Sequence, residues 1–190
     1  MFYTRLSTNF QPKTAPLSRR QILKGMMGLS PALIWPNTAF SAMLPIRQPT
    51  PPMATTLLDK EGKPLSLYVF RGMPILINFW ATWCSPCLKE MPDLDQVYQS
   101  LGPENLIVLA VSMGESRERV RKFLKKRNYS FPVMTDPEME ITRLYGVRNI
   151  PITYLVDPSG VIIGRALGPR EWSEPKLLKF FRSRMNRQAG

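Results

Sequence analysis

The residues that could do chemistry in this chain are few and close together. Cys84 and Cys87 are its only cysteines, spaced as Cys84-Ser85-Pro86-Cys87. A thiol pair at that spacing can cycle between dithiol and disulfide by exchange through a mixed disulfide. The attacking species is the thiolate, and a free thiol is mostly protonated at neutral pH. The flanking sequence addresses that problem. The run Ile75-Leu76-Ile77-Asn78-Phe79-Trp80 reads as a buried strand, and the residues behind the pair read as helix. A helix start presents unpaired N–H groups and the positive end of the macrodipole, and both favour S⁻. Cys84 is therefore expected at that start as the exposed nucleophile. Cys87, one turn on, would face inward and resolve the mixed disulfide. Pro86 suits the first helical turn, where a missing N–H is no loss, and Pro92 falls inside the helix, where it should kink it.

Two other uses of the pair can be weighed. A purely structural cross-link here would close a very short loop and stabilise little. A zinc site needs about four nitrogen or sulfur ligands. With no histidine and no third cysteine, the expectation is no metal. The net charge of +12 raises nucleic-acid binding as a possibility. The basic residues are interleaved with acids and spread over several helices, so a solvated basic surface and no nucleic-acid partner are expected.

Stepping outward along the chain, residues 1–42 read as an export leader. They hold five Lys or Arg and no acid. Ser18-Arg19-Arg20-Gln21-Ile22-Leu23-Lys24 resembles a twin-arginine signal, and a short apolar stretch follows, broken by Gly28, Ser30 and Pro31. Ala39-Phe40-Ser41 offers small residues where a signal peptidase reads, so cleavage would leave Ala42 first. The expected location is the periplasm, or its membrane face if the leader stays attached. Residues 43–58, with Pro45, Pro49, Pro51 and Pro52, read as a Pro-rich tether. The folded domain is expected over 59–190.

Within that domain the spacing predicts strands at 65–70, 74–80, 106–111, 131–134, 153–156 and 161–166. It predicts helices at 84–101, 117–128, 138–145 and 172–186. Asp157-Pro158-Ser159-Gly160 is a turn sequence joining the last two strands. Alternating strands and helices with a closing hairpin argue an α/β sandwich.

Four features then carry a family resemblance. They are Phe79-Trp80-Ala81-Thr82-Trp83-Cys84-Ser85-Pro86-Cys87; Glu90-Met91-Pro92; the stretch from Val111-Ser112-Met113-Gly114-Glu115-Ser116 to Phe131-Pro132-Val133; and Gly146-Val147-Arg148-Asn149-Ile150-Pro151-Ile152-Thr153. Together they resemble the TlpA/ResA-like thiol–disulfide oxidoreductases of the thioredoxin superfamily. The resemblance implies a thioredoxin fold, a central mixed β-sheet flanked by helices, with that subgroup's extra helix and strand. It implies that Pro151 is a cis-proline whose loop lies across the cysteine pair, with Ile150 offering its backbone to an extended substrate segment. Trp83 would sit at the rim against partners and Trp80 nearer the core. Ser85 and Pro86 would tune the redox potential.

The resemblance also singles out Glu90. Plain thioredoxin keeps a buried acid six residues before its first cysteine; here that place is Asn78, which cannot exchange a proton. Glu90, three residues after Cys87, occupies the place where ResA-like proteins hold a glutamate near the active site. A carboxylate in a partly apolar pocket has a raised pKa and can exchange protons with Cys87. Glu90 also reads as an ordinary early-helix acid favoured by the dipole. The resulting expectation is an exported thiol:disulfide oxidoreductase with no cofactor beyond the cysteine pair. It would reduce disulfide-containing target proteins such as apocytochrome c and draw electrons from a membrane-embedded thiol-transfer partner. The same site could instead donate or isomerise disulfides, or the fold could serve as a non-catalytic binding module.

Overall fold

The computed structural model describes residues 43–49, 56–59 and 63–185. The leader assigned to 1–42 lies outside the described residues. The elements in order are β1 (Leu44–Pro49), β2 (Thr56–Asp59), β3 (Pro64–Ser66), β4 (Ile75–Trp80), α1 (Ser85–Leu101), β5 (Ile107–Met113), α2 (Arg117–Leu124), β6 (Val133–Asp136), α3 (Glu140–Leu144), β7 (Ile152–Val156), β8 (Val161–Leu167) and α4 (Pro175–Met185). The eight strands form one mixed sheet in the order β1-β8-β7-β4-β5-β6-β2-β3. The run β4-β5-β6 is parallel, and the other pairings are antiparallel.

β4 is the middle of the sheet and is buried at every position. Successive side chains of a strand point to opposite faces. Leu76 and Trp80 accordingly enter one core with Met91, Leu94, Val97 and Leu101 of α1 and with Trp172 and Phe181. Ile75, Ile77 and Phe79 enter the other, with Leu109, Val111, Tyr145 and Tyr154. The polar Asn78 falls on the α1 side by the same alternation. α2 and β6 are the extra helix and strand between β5 and α3, and they extend the parallel part of the sheet.

Two expectations are corrected. Part of the proposed tether is sheet: β1 pairs with β8, and β2 lies between β3 and β6. Proline is compatible with an edge strand because its missing N–H can face away from the partner. Among the described residues β1 has a neighbour on one side only, and its register slips between Pro45 and Gln48. Met43 just before it is 4% exposed, so the packed domain begins well before Asp59. The strand expected over 65–70 stops at Ser66. There the Ser66 hydroxyl accepts from the Tyr68 N–H (3.2 Å) and caps a 3-10 turn, Leu67–Phe70. A capping hydroxyl offers the backbone an alternative to the ladder, and here it takes the chain out of the sheet.

Candidate active site

β4 and β5 end, β7 begins and β8 ends on one edge of the sheet. That edge collects the candidate residues. After Trp80 the chain turns, with the Cys84 N–H donating to the Ala81 carbonyl (3.1 Å), and α1 starts at once. Cys84 is the N-cap of α1, and its sulfur accepts from the Cys87 N–H at 3.3 Å. The cap role belongs to residues whose side chain can take up an orphan N–H, and here sulfur does so. The two sulfurs are joined as a disulfide. Cys87 is fully buried, as its place one turn into an amphipathic helix requires. Cys84 is only 5% exposed, which corrects the expectation of an open nucleophile: the bond to an inward-facing partner leaves little more than its edge in contact with water.

Trp83, Ser85 and Pro86 are exposed beside the disulfide, with Trp83 at 59%. Trp80 is buried, its ring 5.5 Å from that of Phe123. The Ile150–Pro151 bond is cis, and the Pro151 carbonyl accepts from the Gly168 N–H at 2.9 Å. The next residue, Ile152, pairs with Phe79 of β4, so this loop lies at the strand end that carries the cysteines.

Glu90 lies one helical turn beyond Cys87 and is 2% exposed. Its Oε1 accepts from Asn78 Nδ2 at 2.8 Å. Its Oε2 accepts from the Arg170 backbone N–H and from Trp172 Nε1, both at 3.0 Å. Asn78 Nδ2 also donates to Thr153 Oγ1 at 2.9 Å, while Asn78 Oδ1 is buried with no partner among the described residues. Burial raises the Glu90 pKa above the ordinary glutamate value, and the bonds from Trp172, Asn78 and Arg170 offset part of that rise. Glu90 lines a cleft of about 310 Å³ together with Lys89, Asp93, Pro169, Arg170 and Glu171.

A second buried carboxylate, Glu115, stands on the other flank, at the join between β5 and α2. It accepts from the Thr82 N–H (2.7 Å), from the Thr82 hydroxyl and from Ser112 Oγ (2.8 Å). Arg119 Nε closes over it at 2.9 Å and also donates to Thr82 Oγ1 at 3.1 Å. The turn carrying Trp83 and Cys84 is thereby tied to the inserted helix.

The structure thus brings Cys84, Cys87, Glu90, Trp83, Ser85, Pro86, Ile150 and Pro151 to one end of the sheet. Sequence reasoning missed Trp172, which it placed only as a helix start, as well as Thr153 and the Thr82–Glu115–Arg119 group. A buried indole usually finds an acceptor for its N–H, which is the signal that could have paired Trp172 with an acid. Glu115 carries no local signal that would pair it with Thr82, 33 residues away.

Such an arrangement, a thioredoxin-type α/β sheet with a cysteine pair opening α1 and a cis-proline loop at the same edge, defines a class of protein. Residues 46–165 match the model of the AhpC/TSA family, and the chain belongs to that family. It is 36% identical over 106 residues to the thiol-disulfide oxidoreductase ResA of Geobacillus thermodenitrificans, covering 56% of this chain and 61% of that relative. It is 32% identical over 127 residues to ResA of Bacillus subtilis, covering 67% of this chain and 71% of the relative. Among solved structures it is similar to a thiol:disulfide interchange protein of Chlorobium tepidum, with a TM-score of 0.61 and 28% identity over 70% of this chain and 96% of that one. It is also similar to an exposed lipoprotein thioredoxin of Streptococcus pneumoniae, with a TM-score of 0.58 and 28% identity over 66% of this chain and 98% of that one.

Proposed function

We propose that this protein is an exported thiol–disulfide oxidoreductase that reduces disulfides in target proteins outside the cytoplasm. The observation that carries the reading is the Cys84 sulfur at the N-cap of α1, accepting a backbone N–H and bonded to a fully buried Cys87. In the reduced state the same N–H and the helix start favour a Cys84 thiolate. That thiolate attacks the target disulfide and releases one target thiolate, leaving a mixed disulfide. Cys87 then gives up its proton and attacks the Cys84 sulfur. The second target thiolate departs, and the enzyme is left oxidised. Two electrons pass from the cysteine pair to the target, and two protons finish on the target thiols.

Glu90 is assigned as the group that takes the Cys87 proton, because its carboxyl is buried one turn away with a raised pKa. Trp83 and the Ile150–Pro151 loop are assigned to substrate contact. Ser85 and Pro86, at the opening of α1, are assigned to setting the redox potential. Electrons would come from a membrane-embedded thiol-transfer partner, and apocytochrome c is a fitting target class. The names of the ResA and interchange-protein relatives support the chemistry, and the exposed lipoprotein relative supports a location outside the cytoplasm. Export also rests on the twin-arginine-like leader, with residues 1–42 as the signal.

Cys84→Ser is expected to abolish disulfide reduction completely, and activity surviving that change would leave only a binding module. Cys87→Ser should accumulate a mixed disulfide with the natural target, identifiable by mass spectrometry. Equilibration against glutathione sets the direction. A pair that stays reduced in a glutathione buffer poised to oxidise a structural pair would identify a disulfide donor instead.

A further inference from the structure

α2 and the turn after it carry a charge that the fold leaves unbalanced. Residues 117–127 hold seven Lys or Arg and one Glu. Arg117 pairs with Glu118, and Arg119 with Glu115. Arg127 lies over the Phe123 ring at 3.7 Å. Arg121, Lys122, Lys125 and Lys126 are exposed, and no ion pair joins the three lysines to any acid among the described residues. Arg121 and Lys125 stand four apart, a like-charge spacing that works against the helix. The apolar side of α2 is spent inward: Val120 is buried and Phe123 packs on Trp80. This helix is also bound to the turn that presents Cys84, through Arg119 to Thr82, and to the end of β4 just before it, through Phe123 to Trp80. The basic face is therefore carried by the helix that anchors the Cys84 turn, and a partner segment running from Cys84 over α2 would cross it.

We propose that this face docks an acidic segment of the disulfide-bearing partner, flanking the cysteine that Cys84 attacks. The inference rests on the oxidoreductase reading and adds to it the charge of the substrate. A bilayer is disfavoured as the occupant because the apolar residues of α2 face the core and none is left to insert. A nucleic acid is disfavoured because the outer face holds no aromatic side chain for bases to stack on. Charges at the rim of an interface act chiefly on association rate and on the choice of partner.

The test uses the reduced protein and two synthetic peptides containing the same disulfide, one flanked by glutamates and one by lysines, with hydroxyethyl disulfide as a small neutral control. At low salt the glutamate peptide should be reduced roughly tenfold faster than the lysine peptide, and the difference should shrink as salt rises. The triple change Lys122→Glu, Lys125→Glu and Lys126→Glu should reverse the preference and leave the hydroxyethyl disulfide rate unchanged. The corresponding triple change to Gln should weaken it without reversal. Equal rates for the two peptides with the native protein would overturn the proposal, as would a preference that survives both triple variants. Adsorption to phosphatidylglycerol vesicles with no discrimination between the peptides would also overturn it, in favour of a membrane contact. Failure to reduce hydroxyethyl disulfide would remove the oxidoreductase reading, and this one with it.

Discussion

Glu90 and Glu115 are both buried acids at the cysteine end of the sheet, and they are held in different ways. Glu90 receives three N–H donors, from Asn78, the Arg170 backbone and Trp172, and the charge of Arg170 is the smallest of the influences on it. Glu115 receives two hydroxyls, one backbone N–H and an arginine. An arginine, two hydroxyls and a backbone N–H hold the Glu115 carboxylate between the Thr82 turn and the start of α2. Neutral donors in an apolar surround leave the protonated form within reach. The difference separates a group fitted to pass a proton from a group fitted to hold two elements together.

The comparison can be broken most sharply at Glu115. Glu115→Leu strips the partner from Arg119, Thr82 and Ser112 together; because Arg119 is largely exposed, a loss of about 2–3 kcal/mol is expected in urea unfolding at neutral pH. A loss below about 1 kcal/mol would mean that water replaces the tie. Next in size is Trp172→Phe, which removes one donor from Glu90. It should cost about 1–2 kcal/mol and raise the Glu90 pKa further, because the lost bond favoured the carboxylate. A pH profile of Cys87 alkylation in the reduced protein should move upward with it, and an unmoved profile would detach Glu90 from that thiol.

Glu90→Gln should be the mildest change in stability and the most informative in pH. With the folded pKa raised, the native state keeps a proton that the unfolded chain has already released. Stability contributed by Glu90 is therefore full below the unfolded glutamate pKa and is lost as pH rises through the folded one. The native-minus-variant stability difference should fall over that window, and a flat difference would mean that burial does not hold a proton on Glu90. Thiol alkylation across pH should differ between the two proteins in the same window.

The places of the cysteine pair, Glu90 and Pro151 were legible in the sequence because short spacings and local motifs set them. Cys84 and Cys87 are a helical turn apart, Glu90 is one turn further, and Pro151 sits in a loop whose residues carry the family pattern. Trp172 was not legible, since it meets Glu90 82 residues away only after β8 has returned along the sheet. The strand β1 was hidden for a different reason. Four prolines in 43–58 argue against structure by local propensity, and the edge of β8 overrides them by supplying a partner on one side only. The 3-10 turn after Ser66 reflects a cap that competes with the ladder, a contest that alternation alone does not reveal.

The unmatched oxygen of Asn78 has a consequence of its own. Oε2 of Glu90 faces a main-chain amide and an indole, and neither can reverse, so an added hydrogen must settle on Oε1. There it meets the Asn78 amino group, and the contact can be kept only if the carboxamide swings through half a turn. Thr153 can follow, because a hydroxyl gives as readily as it takes. The central strand would thus carry a small rotor that registers whether the acid is filled, and the amide resonances of Asn78 should exchange environment in step with the Glu90 titration.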